Sequence, residues 1–256
     1  MRSIWKPGLF FVFCLLIALL VNMPATQLVG RIKLPDTIGL NGLDGTLFSG
    51  RVSQLTIDKF PIQNLSYRAD SFCLLTLSIC YQFDNPDGLF HLRIRPLTET
   101  VEISDLAIDY PLQQLTPFMQ QLLVKPSGKV ELKLESAQAV KGQLTGLSGV
   151  AIWRNAGVSG ESVNLGDYEF LVSGSGDLYT VSLKDIQAPL QVVGKVDLKT
   201  NGTYQVNIDI KARSGLDPKI QNVLEFVALK KGINQYVIQN TGKLPAQFQA
   251  YLAGNI

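Results

Sequence analysis

The sequence predicts a mainly β protein, with one apolar N-terminal helix followed by a twisted, largely antiparallel sheet that carries two short helices. Three observations lead there. Runs in which apolar and polar residues alternate recur from Val52 to Ile238, and a period of two marks a half-buried strand. Turn-forming clusters such as Asn85-Pro86-Asp87-Gly88 and Asn201-Gly202 join these runs. Ahead of them stands an apolar stretch, Leu9 to Met23, just behind Arg2 and Lys6.

That stretch reads as a membrane span. From Pro7 to Gly30 the 24 residues include no ionisable side chain except the Cys14 thiol, and about 20 suffice to cross a bilayer. Every later apolar run is short and broken by charge, Gly or Pro. Arg2 and Lys6 before the span balance Arg31 and Lys33 after it, so flanking charge does not orient it. A short basic start, an apolar stretch and a long following domain form the layout of a signal anchor. Residues 1–30 are then a cytoplasmic tip and anchor, and residues 31–256 lie outside the cytoplasm. Met23-Pro24-Ala25 offers only Ala25 as a small residue for cleavage, so an uncleaved anchor is preferred over a removed signal.

About 225 residues remain, enough for one domain with a real core or for two small lobes. Two of the 23 Lys and Arg precede the span, leaving 21 against 21 Asp and Glu. The exported body is therefore neutral, which argues against nucleic acid as a partner. Cys14 lies inside the span, where it acts as a small apolar residue. Cys73 and Cys80 fall in the exported part, where oxidation is permitted. If Ser71 to Leu77 turn between two strands, their sulfurs can meet. A disulfide and two free buried thiols are both open. The only His of the chain is His91, so a zinc site is not expected.

Along the body, Leu34-Pro35-Asp36 and Gly39 read as a linker. Strands are expected at Val52–Ile57, Ile62–Tyr67, Phe90–Arg95, Val101–Ser104 and Val130–Glu135, then at Val181–Lys184, Val192–Leu198, Tyr204–Ile210 and Tyr236–Ile238. Asn201-Gly202 is a strong hairpin signal, because both residues tolerate positive φ. Two segments switch to helical spacing. In Pro111 to Leu123 apolar residues recur at three and four, with Pro117 near a start or a kink. In Asp217 to Leu229, Asp217 can cap, Pro218 suits the first helical position, and Ile220, Val223, Leu224 and Val227 line one face. Phe170-Leu171-Val172 and Leu190 to Val193 are the nearest approach to strands apolar on both faces.

No constellation of catalytic groups emerges. His91 alternates with Phe90 and Leu92 as a solvent-facing strand residue does. Ser173-Gly174-Ser175-Gly176 lacks the Lys and the following helix of a phosphate loop and reads as a turn. Asp84, Asn85 and Asp87 are too few, with Pro86 among them, for an EF-hand loop. Neither cofactor nor metal is expected, and the chain is not read as an enzyme. The most distinctive stretch is Gly42-Leu43-Asp44-Gly45-Thr46-Leu47-Phe48-Ser49-Gly50, read as a turn into a strand with close backbone approach.

That stretch also carries a resemblance. An anchor, then Gly45, Thr46, Leu47, Phe48 and Gly50, then alternating strands, then Gly242, Leu244 and Pro245 near the end, resembles the N protein family of bacterial type II secretion systems. The family pattern has a GTLW-x-G type motif after the anchor and a closing Gly-x-Leu-Pro strand. Phe48 stands where the family has Trp, and the Cys73 and Cys80 pair is not part of that pattern. The resemblance implies a single-pass inner-membrane protein of a Gram-negative cell with its body in the periplasm. It implies an accessory role in exporting folded proteins across the outer membrane, through contacts with other secretion proteins on the inner-membrane platform or the secretin side. It carries no catalytic residues. The family's β body is similar in style to the AsmA-like group, an open half-barrel or sandwich-like sheet. Such a sheet leaves a second reading, a periplasmic lipid-binding or lipid-carrying protein with an apolar groove. Alternation with one wet face favours the interaction role, with strand addition at an exposed edge as its mode.

Overall fold

The computed structural model describes residues 11, 19, 22–29, 38–57, 60–86, 88–112, 125–158, 164–213 and 218–244. Most of Leu9 to Met23 lies outside them, although Phe11 and Leu19 are helical and exposed. Among the described residues no helix is long and apolar enough to cross a membrane. The expected helix after Pro111 also falls outside, from residue 113 to 124. The chain divides into two compact units, residues 1–93 and 94–256.

The first unit holds a short helix α1 (Ala25–Val29) and strands β1 (Ile38–Gly45), β2 (Ser49–Ile57), β3 (Phe60–Asp70), β4 (Ile79–Asn85) and β5 (Gly88–Arg95), side by side in chain order. β5 runs two residues past the division. Gly39, expected in a linker, instead lies in β1 opposite Thr56. Backbone pairing along β2 outweighs the low strand preference of Gly, Asn and Asp there. Val52 faces Leu65 across β2 and β3, and both are buried. An aromatic row follows: Tyr67 lies edge-on to Tyr81 with centroids 6.1 Å apart, and Phe83 stacks on Phe90 at 4.8 Å. Such pairs add stabilisation beyond their buried area.

The second unit holds β6 (Thr100–Pro111), β7 (Pro126–Val140), β8 (Gln143–Val158), β9 (Asn164–Ser175), β10 (Leu178–Gln187), β11 (Leu190–Lys199) and β12 (Thr203–Ala212). Helix α2 (Pro218–Val227), β13 (Leu229–Gly232) and β14 (Gln235–Lys243) complete it. The strands follow chain order up to β12, which pairs with β14, and β13 lies outermost. Every pairing within β6 to β14 is antiparallel. The order is linear and single-layered, so the architecture is an open sheet rather than a sandwich.

Register explains which face is apolar. Ile108, Leu132, Ala151, Phe170, Leu183, Gly194, Ile208 and Ile238 are successive cross-strand partners from β6 to β14. The row shifted by one residue reads Lys133, Val150, Leu171, Ser182, Lys195, Asn207 and Gln239 over β7 to β14. One face is therefore apolar and the other mostly wet. Of the segments read as apolar on both faces, Phe170 and Val172 are half-buried while Leu171 is exposed, and Val192 is buried while Val193 is exposed. Helix α2 covers one end of the apolar face. Its Ile220 and Leu224 join Leu190, Val192, Ile210 and Tyr236 in the core, as the spacing of those two residues predicts.

Two bulges shape that end. At the register shift between Trp153 and Ala156, Asn155 has φ 48° and its amide donates to Asp167 Oδ1 at 2.8 Å. Arg154 spans Asp167 at 3.0 Å and Glu131 at 3.3 Å. At the shift between Asp185 and Gln187, Asp185 accepts from the Val192 amide at 2.8 Å and pairs with Arg213 at 2.7 Å. A bulge breaks the backbone ladder, and in each case a carboxylate accepts an amide beside it.

Candidate functional site

Three places concentrate the distinctive chemistry: the glycine-rich turn, the cysteine loop and the outer strand edge. In the turn, β1 and β2 are joined by Thr46 to Phe48. The Thr46 amide donates to the Ser49 carbonyl at 2.8 Å, and Thr46 Oγ1 accepts from the Phe48 and Ser49 amides. Gly45 has φ +111°, and a Cβ there would stand 2.5 Å from the Gly50 Cα. Gly50 faces Tyr67 across β2 and β3, and a Cβ on it would stand 2.6 Å from Tyr67 Oη. Missing side chains let the tyrosine lie flat over the strand, where its hydroxyl donates to the Thr46 carbonyl at 2.6 Å. Tyr81 Oη donates to the Leu47 carbonyl at 3.2 Å, and the Ala69 amide donates to the Phe48 carbonyl at 2.6 Å. The turn is thus pinned from β3 and β4. On its other side Pro24, next after Met23, forms an isolated antiparallel bridge with Thr46.

The closing motif repeats the device. Gly242 pairs with Tyr204, and a Cβ at 242 would stand 2.6 Å from Tyr204 Oη. The Leu244 amide donates to the Gly202 carbonyl at 2.8 Å. Pro245 lies outside the described residues.

The cysteine loop leaves β3 at Asp70 and returns in β4 at Ile79. Cys73 and Cys80 are joined by a disulfide with Cα atoms 5.8 Å apart, inside the ordinary range. A 3-10 turn covers Ser71–Thr76. Asp70 Oδ1 accepts from the Phe72 amide at 2.9 Å, the Leu77 amide donates to the Leu74 carbonyl, and the Ser78 amide to the Cys73 carbonyl, both at 3.1 Å. Its apolar side chains face outward: Phe72 is 80 % exposed, Leu75 84 % and Leu77 66 %. The sequence left a disulfide and two free thiols open at this turn and carried no sign of the exposure.

The strand edge is one-sided. β13 pairs with β14 only over Gln235 to Val237, so among the described strands β14 from Ile238 to Lys243 is paired on one side alone, to β12. An open hollow of about 280 Å³ lies at the other end of β14, where β13 pairs, and is lined by Gln191, Val193, Asp209, Lys211, Lys231 and Gln235 among others.

Among the described residues no group of three His, Cys, Asp or Glu is placed to hold a metal ion. Asn85 is buried and accepts from the Gly88 amide at 2.7 Å, a turn role. Gly176 and Asp177 form the two-residue β9 to β10 turn. Perturbed titrations have structural causes. The Asn155 amide, with help from Arg154, holds the Asp167 carboxyl below its usual range against an opposing burial effect. Burial, reinforced by Asp185, pushes the Tyr168 hydroxyl up to about 12, and that hydroxyl donates to the Leu165 carbonyl.

The family model for type II secretion system protein N matches residues 36–239. The chain belongs to the type II secretion system protein N family. Among curated proteins it is 23% identical over 234 residues to the type II secretion system protein N of Aeromonas hydrophila, covering 88% of this chain and 93% of that one. No solved structure matches the chain. The glycine-rich turn lies inside the matched range and the Gly242 to Pro245 motif lies beyond it. Protein N is a component of a secretion system and not a known enzyme family.

Proposed function

We propose that the chain is an accessory inner-membrane component of type II secretion, anchored by Leu9 to Met23 with its body in the periplasm, and that it meets other secretion proteins by strand addition at β14. The observation that supports this reading is the edge of β14 from Ile238 to Lys243, which no second described strand shares. An edge of that length offers a row of backbone donors and acceptors to an incoming strand. The rest of the edge is blunted: β13 is four residues long and carries Lys230 and Lys231, the residue type that discourages indiscriminate pairing. Selective exposure of one stretch suits a specific partner better than a general adhesive surface.

A photo-crosslinking amino acid at Gln239 or Thr241, both exposed, tests the reading in secreting cells. Crosslinks to secretion-system subunits from these positions, and none from Ser182 on the same wet face but away from the edge, are expected. Equal yields from both places contradict edge recognition. The competing lipid-carrier reading would place an acyl chain along the row from Ile108 to Ile238. It predicts lipid rather than protein adducts from positions on that row.

A further inference from the structure

We propose that the disulfide-clamped loop from Ser71 to Cys80 dips into the lipid surface beside the anchor, so that the first unit is held to the membrane at two points. This inference rests on the anchor reading above. The loop has the chemistry for it. Between Asp70 and Asp84 the sequence contains no charged side chain, and Phe72, Leu74, Leu75 and Leu77 are all more than half exposed. These side chains stand out from a hairpin tip rather than line a groove, a shape that enters a soft phase. Exposed apolar clusters of this kind mark interaction sites, and apolar residues backed by satisfied backbone settle at the boundary between headgroups and acyl chains. Polar groups of the loop are already engaged: the amides of Phe72, Leu77 and Ser78 and the hydroxyl of Thr76 all donate within Asp70 to Thr76. Withdrawing them from water therefore leaves few unmet hydrogen bonds.

Position identifies the occupant as the bilayer. The chain emerges from the predicted span at Met23, and Pro24 is bridged to Thr46. The Thr46 to Phe48 turn is bound to Ala69 and Tyr81, and the loop begins at Asp70, one residue past Ala69. Span exit, family turn and apolar loop therefore share one end of the first unit. The turn sits between the other two, which gives its tyrosine pins a purpose beyond closing a hairpin.

The test uses the full chain reconstituted into vesicles of phosphatidylethanolamine and phosphatidylglycerol with brominated acyl chains. Leu75→Trp places a reporter at the loop tip, and Pro86→Trp places one at the far end of β4, both in a Trp5→Phe, Trp153→Phe background that removes the two native tryptophans. Bromine should quench the residue-75 reporter at least about threefold more than the residue-86 reporter. Equal quenching, with the chain still retained in the vesicles after an alkaline wash, overturns the proposal. So does a residue-75 reporter that iodide reaches in vesicles but not when other secretion subunits are added, because a protein then covers the loop. Release by the alkaline wash sinks the anchor reading instead. Quenching at residue 75 on adding vesicles would then still support insertion of the loop, and its absence would overturn both.

Discussion

Replacing Gly50 by Ala should loosen the end of the first unit where the turn is pinned. The added methyl would collide with the Asp44 carbonyl oxygen, which is backbone and cannot swing aside, and would stand 2.6 Å from Tyr67 Oη. The tyrosine can retreat only by giving up its 2.6 Å hydrogen bond to the Thr46 carbonyl. Overpacking of this kind costs about 1–3 kcal/mol, and a lost hydrogen bond about 0.5–1.5 kcal/mol. Together they predict a loss of about 2–4 kcal/mol. Hydrogen exchange at the Ala69 amide, which donates to the Phe48 carbonyl, reads this opening directly. At one decade per 1.4 kcal/mol, exchange should accelerate roughly 30- to 700-fold. Gly39→Ala on β1 is the control, since its methyl would meet nothing closer than Thr56 Cβ at 3.4 Å. Equal acceleration in both variants, or none at Ala69 in Gly50→Ala, would refute the reasoning.

Two other perturbations follow from the structure. Cys73→Ser with Cys80→Ser opens a loop whose ends are seven residues apart; loop-closure entropy then predicts a loss of about 2–3 kcal/mol. Unchanged urea unfolding, together with two titratable thiols in the native protein, would rule that out. Alkaline stability should be limited by Tyr168. Its hydroxyl is raised to about 12 in the fold against about 10 unfolded, so the unfolded chain ionises first and stability falls as pH rises from about 10 to 12. Tyr168→Phe, although it loses the hydrogen bond to Leu165, should flatten that decline in pH-dependent unfolding. An unaltered slope would show that another group controls it.

Legibility in the sequence followed the strength of the alternation. β10, β11 and β12 were readable because Val, Ile and Leu alternate with polar and charged residues, β14 was marked only by its short apolar run Tyr236 to Ile238, and the Asn201-Gly202 signal sits at a true hairpin. There Gly202 takes φ +81°, while Asn201 serves through its side chain, accepting from the Thr203 amide. Helix α2 was readable from Pro218, Ile220 and Leu224. β8, at 16 residues, was not. Its Gly146, Gly149, Ala151 and Ala156 carry little hydrophobic signal, and long neighbours, not side-chain pattern, hold it in the sheet. The expected strand Val130–Glu135 likewise extends to Pro126–Val140, because Ser136, Ala137, Gln138 and Ala139 carry little alternating apolar signal and their pairing with β6 and β8 decides their state. β1 was hidden by its glycines. At the site, the distinctive character of the Gly45 to Gly50 stretch was legible, whereas its partners Tyr67 and Tyr81 were not, since contacts across strands leave no local mark. Exposure of the Phe72 to Leu77 side chains was invisible for a related reason: an apolar run looks the same in a core and on a tip.

The central claim, a secretion component acting through protein contacts, is tested most directly by native mass spectrometry. The protein would be purified from membranes after crosslinking from residues 239 and 241, with lipid extraction in parallel. Secretion-system subunits attached in defined ratio, without stoichiometric lipid on the body, are the predicted result. A stoichiometric lipid held by the body, with no attached subunit, would contradict the account.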